Sequence, residues 1–198
     1  MPTRRRMGVE GAKNRTRLVE ATEQLLRDKG YAAISARQVA DKAGLKPQLL
    51  YYYFHTIDDL ILAVVRAITD KRLERFEQAL ASPKPLRALW ELNSNPSNAI
   101  LSTQLISLAG HRETIRVEIV RAARHFRTLQ IAAVSRLLTQ RGVDQEAYPA
   151  AAIVTIVAAL GRTLVTDTAL DVSMGYAEAV KLVERGLQYL EEIPAKSL

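Results

Sequence analysis

The segment at residues 35–54, SARQVADKAGLKPQLLYYYF, constrains the fold more than any other part of the chain. Ser35 is a good N-cap residue, and Gln38 three positions later completes a capping box, so a helix is predicted to start here. Gly44 ends that helix, because glycine takes the left-handed conformation without steric cost. Pro47 follows closely, and proline is favoured at the first position of a helix. Two short helices joined by a glycine turn predict a helix-turn-helix.

The apolar residues of this segment fall on one side of each predicted helix. Val39, Ala40 and Ala43 share a face of the first helix. Leu50 and Phe54 stack at i, i+4 in the second. In a helix-turn-helix bound to DNA, the second helix enters the major groove with its N-terminal residues nearest the bases. The pattern therefore predicts an inner face that joins the two helices and an outer face that reads DNA.

A wider set of residues follows an ordered pattern from about Arg17 to Leu62. Its members are Ala21, Leu25, Leu26, Gly30, Tyr31, Ser35, Val39, Ala40, Ala43, Gly44, Leu50, Tyr51, Phe54, Asp58, Asp59 and Leu60. On these residues, about the first third of the chain resembles the DNA-binding domain of the TetR family of transcriptional repressors. The predicted fold is all-α, with about nine helices. An N-terminal three-helix domain with the helix-turn-helix precedes a C-terminal helical-bundle domain for ligand binding and dimerisation.

Two positions depart from the family pattern. Lys46 occupies the place where the family usually has Ser or Thr to cap the recognition helix. Ile57 occupies the place of a lysine that commonly contacts phosphate, so one expected contact to the DNA backbone is missing. Lys46, His55 and Thr56 are close enough along the chain to compensate.

The second helix of the motif supplies most of the predicted DNA contacts. Gln48 is the best base reader, because its amide can pair with adenine through two hydrogen bonds. Leu49 could touch a thymine methyl group, and Tyr51 holds the position that in the family contacts phosphate. Three successive tyrosines could instead pack inward, but a helix of this length cannot bury all three. The complete predicted DNA-binding set is Ser35, Arg37, Gln38, Lys46, Pro47, Gln48, Leu49, Tyr51, Tyr52, Tyr53, His55 and Thr56.

Positive charge is concentrated where DNA binding is predicted. The chain has a net charge of +7, and residues 1–57 hold 11 Lys and Arg against 5 Asp and Glu. Such a basic region suits a polyanionic partner. Residues 1–12 include three consecutive arginines at 4–6 and show no apolar periodicity, which predicts a disordered arm. That arm could reach phosphates or a minor groove, or it could have no function.

The sequence divides into a DNA-binding domain at 1–57 and a ligand-binding and dimerisation domain at 58–198. The most apolar helix is predicted over 144–170 and the last over 176–190. This pair resembles the dimer interface of the family, a four-helix bundle with two helices from each subunit, which implies a homodimer through the last two helices. The alternative is that both helices only close the core of one subunit. The residues of the last helix at bundle-seam spacing are Tyr176, Val180, Val183, Leu187 and Leu190.

A ligand cavity in the second domain is predicted from helical periodicity. A hydrophobic or amphipathic effector would suit it, and Arg112 or Arg116 could bind an acidic head group. A solvated outer face is the simpler explanation for most arginines of the helix at 113–141. His111 and His125 lack a carboxylate or cysteine at metal-ligand spacing, so neither a metal nor another cofactor is expected. The predicted lining is Trp90, Leu105, Leu108, Arg112, Arg116, Phe126 and Val157.

The predicted function is a sequence-specific transcriptional regulator, in its simplest form a repressor that a ligand releases from a palindromic double-stranded DNA operator. A non-specific DNA-packaging protein is one alternative, which Gln48 on the motif disfavours. A helical-bundle enzyme is another, and the sequence offers no triad signature, phosphate-binding glycine loop or cysteine for it. The lack of cysteine fits the reducing cytoplasm. The longest nearly uninterrupted apolar run, 147–160, is too short for a membrane span.

Overall fold

The computed structural model describes residues 3–168 and 171–193, and the side chains of these residues outside 3–9 and 96–100. Within these ranges the chain is all-α, with nine α-helices and no strand, so the predicted fold class is confirmed for the described part of the chain. A turn of 3-10 helix covers Tyr31–Ala33. The α-helices are α1 Thr3–Lys29, α2 Ala36–Ala43, α3 Pro47–Tyr53, α4 Ile57–Leu80, α5 Pro85–Asn93, α6 Pro96–Ala109, α7 Glu113–Gln140, α8 Ala150–Thr168 and α9 Tyr176–Glu192.

The helices form two compact units. The first unit comprises Met1–Asp70 and Leu101–Arg121, and the second comprises Lys71–Ile100 and Ala122–Leu198. Helices α4, α6 and α7 each contribute residues to both units. The helix-turn-helix lies in the first unit, which continues past residue 57. A division of function between 1–57 and 58–198 stays a prediction.

The caps of α2 and α3 lie where the sequence predicts them. The Ser35 hydroxyl accepts a hydrogen bond from the Gln38 backbone N–H at 3.3 Å, which caps the start of α2. Gly44 ends α2 with φ of 64° and ψ of 39°, a left-handed conformation that L residues adopt only with strain. Pro47 opens α3, and Phe54 follows its last residue as the C-cap. Local sequence signals are therefore sufficient to place this pair of helices.

The core of the first unit extends beyond the three helices that the sequence assigns to DNA binding. Side chains of α6 and α7, including Leu101 and Ile115, join the same buried cluster as α1, α2, α3 and the start of α4. Fully burying a large aliphatic side chain contributes about 1.5–3 kcal/mol. The fully buried members that dominate this core are Leu18, Leu26, Val39, Leu50, Leu60, Ile61, Val64 and Ile115.

Helix α1 begins much earlier than predicted. Residues 3–12, for which the sequence predicts a disordered arm, continue the helix up to its start at Thr3, while residues 1–2 lie outside the described ranges. Arginine, methionine, glutamate and alanine are good helix formers, and each glycine costs only about 1 kcal/mol relative to alanine. A Cβ atom at Gly11 would lie 3.5 Å from the Tyr53 hydroxyl. The close approach of α3 thus supports the helix at the position where glycine weakens it.

The second unit has its own core, to which α9 contributes its regularly spaced apolar residues. All five residues at seam spacing pack on this core, with Leu187 and Leu190 buried and the other three partly buried. A dimer interface on the remaining faces of the last two helices stays a prediction. Leu182 and Tyr189 lie instead on the exposed side of the helix. The buried cluster comprises Phe76, Leu86, Leu89, Trp90, Phe126, Ala133, Val134, Leu138, Ala150, Val154, Leu164, Leu187 and Leu190.

Helix α8 begins at Ala150 and not at the predicted Asp144. Pro149 has no N–H to donate, and proline disfavours the helical conformation in the residue before it. The chain ahead of Pro149 forms a turn, in which the Tyr148 N–H donates to the Asp144 carbonyl at 2.9 Å. The predicted end at Leu170 lies outside the described residues.

Helix α8 packs closely on α5. A Cβ atom at Gly161 would lie 2.8 Å from the Asn93 carbonyl oxygen, a distance that real Cβ atoms do not show, so only glycine fits between the two backbones. By length and composition alone, α8 is also long and apolar enough to cross a membrane, with a mean hydropathy of 1.5. A third of its residues are buried in the fold, and core helices of soluble proteins pass the same test.

Candidate DNA-binding surface

Helix α3 buries one face in the first unit and exposes another. Leu50 is fully buried and Phe54 is 3% exposed. Gln48 is exposed, and Tyr51 and Tyr52 are 55% and 76% exposed. The residues predicted to read bases and contact phosphate therefore lie at the surface, on a helix fixed from behind by its buried face.

The three tyrosines of α3 divide between packing and exposure. Tyr53 is half-buried, with its hydroxyl close to Gly11 of α1. Its ring meets the Tyr52 ring edge-on, with centroids 4.9 Å apart. Tyr51 and Tyr52 extend toward solvent. As predicted, the helix does not bury all three, and Tyr53 is the one that packs.

The predicted contacts at the start of α2 are exposed side chains. Ser35, Arg37 and Gln38 all reach the surface, although the Ser35 hydroxyl is engaged in capping the helix. Arg37 lies 3.9 Å from Asp41, with the two side chains 89% and 67% exposed. An ion pair this exposed contributes about 0–1 kcal/mol to stability. Asp41 would therefore compete only weakly with a phosphate group for Arg37.

The turn before α3 presents one cation. Lys46 is exposed, and its side chain makes no capping hydrogen bond to α3. Pro47 and Leu49 are half-buried at the start of the helix. Of these three predicted residues, Lys46 is thus the one with a charged group directed to solvent.

The residues after α3 serve partly to start α4. The Thr56 hydroxyl accepts from the Asp59 N–H at 3.0 Å, and the Thr56 N–H donates to the Asp59 carboxylate at 3.0 Å, which forms a reciprocal capping box. Ile57 packs half-buried against the core of the first unit, and His55 is exposed. Ile57, at the position where the resemblance implies a lysine, therefore stabilises the core, and a contact of the exposed His55 with the DNA backbone stays a prediction.

Two arginines of α1 support the motif through contacts that sequence analysis missed. Arg17 donates from Nη2 to the Ala43 carbonyl at 2.6 Å. This carbonyl lies at the negative end of the α2 dipole, where a cation is favourable. The Arg15 guanidinium lies 5.0 Å from the centroid of the Phe54 ring. The available signal is the set of closely spaced basic residues at 13, 15 and 17, near the middle of α1, and it does not show which carbonyl or ring they contact.

The two arginines predicted to bind an acidic ligand already have carboxylate partners. Arg112 pairs with Asp58 near the start of α4 and lies 5.3 Å from the Tyr31 ring centroid. Arg116 pairs with Glu113 at 2.6 Å. The hydrogen bond between them lowers the pKa of Glu113 and raises the pKa of Arg116.

The other predicted ligand residues are divided between the two cores. Leu105 and Leu108 are buried in the first unit, whereas Trp90 and Phe126 are buried in the second and Val157 packs half-buried against it. The predicted residues thus belong to two different units, and a lining that they share stays a prediction. Two clefts of about 540 and 470 Å³ in the second unit are lined by residues of α8, α9 and the start of α5, with none of the predicted set among them.

A profile of the family described as bacterial regulatory proteins, tetR family, matches residues 18–64, from α1 through the helix-turn-helix into α4. The HTH-type transcriptional regulator PksA of Bacillus subtilis is 29% identical over 89 residues, which are 42% of this chain and 43% of that protein. The chain spans about half the length of the curated relatives that it matches in this way.

Solved structures resemble the chain over a greater length. A TetR transcription regulator from Haloarcula marismortui matches with a TM-score of 0.69 and 19% identity, covering 90% of this chain and 98% of that one. The transcriptional regulator FadR of Bacillus subtilis, in complex with stearoyl-CoA, matches with a TM-score of 0.64 and 15% identity, covering 90% and 98%. At such identities the likeness establishes the fold alone, and it includes helices far beyond the DNA-binding segment.

Proposed function

We propose that the chain is a sequence-specific repressor of transcription, because its residues 18–64 match the tetR family of bacterial regulatory proteins. A small hydrophobic or amphipathic effector would release it from a palindromic DNA operator. The observation that carries the proposal is the exposed face of α3, where Gln48, Tyr51 and Tyr52 lie opposite the fully buried Leu50. A helix held by its buried side can enter a groove without rearranging.

Each exposed group has a role that fits its chemistry. The Gln48 amide offers a donor and an acceptor on one rigid group, which suits the N6 and N7 edge of adenine. The hydroxyl of Tyr51 and the charges of Lys46 and Arg37 suit phosphate oxygens, which fix orientation and carry no sequence information. Specificity in this proposal thus depends on Gln48, and general affinity on its neighbours.

We further propose that the protein binds DNA as a homodimer through α8 and α9. Three large apolar side chains on these helices are mostly exposed in the single chain: Ile156 at 62%, Leu182 at 66% and Tyr189 at 62%. A second copy of the chain would cover them. Two helix-turn-helix motifs related by a two-fold axis read half-sites ~34–36 Å apart, or a multiple of that distance, which is why the operator is proposed to be palindromic.

In this proposal the effector shifts the equilibrium between two conformational states of the dimer. In one state of the dimer the recognition helices match the half-site spacing, and in the other they do not. An effector that binds the mismatched state more tightly lowers operator affinity by the difference between its binding free energies for the two states. FadR of Bacillus subtilis, a regulator of similar fold, binds stearoyl-CoA, which supports an amphipathic small molecule as the class of effector. In this role the protein acts in the cytoplasm, on double-stranded DNA and without a membrane.

Selection of bound sites from random duplex DNA by the purified full chain, at one stated salt concentration, tests the proposal. We expect a palindromic consensus with adenine at the position read by Gln48. A matched selection with Gln48→Ala should lose preference at that position and keep the rest of the consensus. Enrichment of no sequence by the unmodified chain would contradict the proposal and favour a non-specific DNA-binding protein.

A further inference from the structure

The larger of the two clefts in the second unit, of about 540 Å³, lies between the start of α5 and α9. Glu191 of α9 holds its walls together, because its Oε1 accepts hydrogen bonds from the backbone N–H groups of Leu86 and Arg87 at 2.8 and 3.1 Å. These N–H groups belong to the first turn of α5 and have no partner inside the helix. The cleft is therefore formed by the fold itself. Its lining residues are Lys84, Arg87, Lys181, Glu184, Arg185, Leu187, Gln188 and Glu191.

Basic side chains outnumber acidic ones in this lining by four to two, so we call it the basic cleft. Both carboxylates are engaged within the protein. Glu191 holds the start of α5, and Glu184 lies 3.7 Å from the Arg87 guanidinium, which also lies 3.3 Å from Glu91. A concave surface with an excess of one charge concentrates ions of the opposite charge. The basic cleft therefore favours an anion.

Three cations of the basic cleft have no carboxylate partner. In the part of the chain that the structure describes, no Asp or Glu lies at ion-pair distance from Lys84, Lys181 or Arg185. Lys84 precedes α5 without capping it through its side chain. Arg185 donates from Nε to the Lys181 carbonyl at 3.3 Å, which leaves both terminal nitrogens of its guanidinium for a ligand. Donors for an anion are thus present on both walls.

An apolar groove of about 470 Å³ adjoins the basic cleft and shares Lys181 and Glu184 with it. The groove lies between α8 and α9, and its apolar lining includes Leu164, Ala177 and Val180. Tyr176 also lines it, and the Tyr176 hydroxyl donates to the Asp167 carboxylate, so that polar group is satisfied within the protein. A charged cleft and an apolar groove therefore meet at Lys181 and Glu184.

We propose that the basic cleft and the apolar groove together bind a small amphiphile. Its anionic group, a carboxylate or a phosphate, lies among Lys84, Lys181 and Arg185, whose N–H donors form charge-assisted hydrogen bonds with either anion. Its apolar part lies in the groove. Clefts of ~300–1,000 Å³ are typical of small-molecule sites. Leu182 and Tyr189, which are proposed for the dimer, line neither cleft.

The inference rests on the proposed function in one respect, namely that this amphiphile is the effector. It then assigns the effector to the anionic amphiphiles. It also assigns it to a site that none of the seven predicted ligand residues lines.

Calorimetric titration of the full chain without DNA, at one low and stated ionic strength, tests the site. The probes are octanoate, octyl phosphate, inorganic phosphate and the uncharged 1-octanol. We expect the two charged amphiphiles to bind more tightly than 1-octanol or inorganic phosphate, because only they use both the cleft and the groove. The tighter of the two distinguishes a carboxylate ligand from a phosphate ligand.

Two variants separate the two halves of the site. Lys84→Gln combined with Lys181→Gln removes two unpaired cations and should raise the Kd of both charged amphiphiles about tenfold. Ala177→Gln places a polar side chain at the groove. It should raise the Kd of octyl phosphate several-fold and leave that of inorganic phosphate unchanged. The substituted residues are exposed, so these variants should fold.

The control is Arg136→Gln, which removes an exposed charge of α7 in the same unit that lines neither cleft. It should leave every Kd unchanged. The proposal is overturned if 1-octanol binds as tightly as the charged amphiphiles or if the double lysine variant binds them like the unmodified chain. It is also overturned if Ala177→Gln leaves octyl phosphate binding unchanged, or if Arg136→Gln weakens binding as much as the double variant.

Operator binding is measured separately, so that the two proposals can fail independently. A chain that selects a palindromic operator but binds neither charged amphiphile retains the proposed function and loses the amphiphile site. A chain that binds the amphiphiles through Lys84 and Lys181 but selects no DNA sequence retains the site and loses the proposed function.

Discussion

Gln48 and Tyr51 are neighbours on the exposed face of α3, yet their removal should affect DNA binding differently. Gln48→Ala should cost ~1–3 kcal/mol at one operator position, because the proposed bidentate contact to adenine would be lost. Tyr51→Phe should weaken binding to all sequences alike, because a phosphate contact carries no base information. Fluorescence anisotropy with single-base operator variants measures both effects. The control is Gln24→Ala, which removes an exposed glutamine of α1 outside the predicted DNA-binding set. An unchanged base preference in Gln48→Ala would rule out the role assigned to Gln48.

Arg17 should stabilise the motif by holding the end of α2. Arg17→Ala removes the donor to the Ala43 carbonyl and should lower the free energy of unfolding by about 1 kcal/mol. The urea midpoint of the full chain measures the change. Arg37→Ala is the matched control, because that side chain is 89% exposed, and it should change stability by less than ~0.5 kcal/mol. Equal effects from both substitutions would show that the Arg17 hydrogen bond contributes nothing specific.

At the scale of the helices, local sequence was a reliable guide where a cap or a breaker lies next to the helix end. Ser35, Gly44 and Pro47 define α2 and α3 without help from the rest of the fold. The predicted start of α8 at residue 144 is wrong. The apolar residues around Pro149 suggest a continuous helix, but proline disfavours the helical conformation in the residue before it. The predicted arm before α1 is wrong for residues 3–12. Once the rest of α1 is packed, each further residue that favours a helix extends it at little cost in free energy.

The capping box of α4 gives a test at this scale. Thr56→Ala removes the hydroxyl that accepts from the Asp59 N–H, and loss of an N-cap costs about 1 kcal/mol. Thr56→Ser keeps the oxygen and should behave like the unmodified chain. Chemical denaturation followed by circular dichroism compares the three proteins. If serine were as destabilising as alanine, the methyl group and not the cap would be the stabilising feature.

For the whole molecule, the decisive prediction concerns self-association. Leu182→Glu places a charge among the exposed apolar residues of α8 and α9 and should weaken the proposed dimer on the order of tenfold or more. Val117→Glu is the control, since Val117 is similarly exposed, at 56%, but belongs to the first unit. Sedimentation velocity over a concentration series measures the dimer Kd. A shift in Val117→Glu without one in Leu182→Glu would place the interface elsewhere.

The predicted ligand residues show where sequence analysis reaches its limit at this scale. Helical periodicity correctly marks Leu105, Leu108, Trp90 and Phe126 as inward-facing, and all four are buried. Periodicity cannot tell which core each helix face enters, because that depends on contacts between residues distant in the chain. Likewise, Arg112 and Asp58 form an ion pair although they are far apart in sequence. No local sequence pattern predicts such a pair.

The contact between Gly161 and Asn93 bears on how such a protein can evolve. At that crossing α8 meets α5 backbone to backbone, so the separation of the helices is set by the absence of a side chain and not by the chemistry of one. Residues on the other faces of both helices can then vary without moving the scaffold. A lineage that keeps glycine at this one position could change the proposed effector while retaining the packing of α8 on α5.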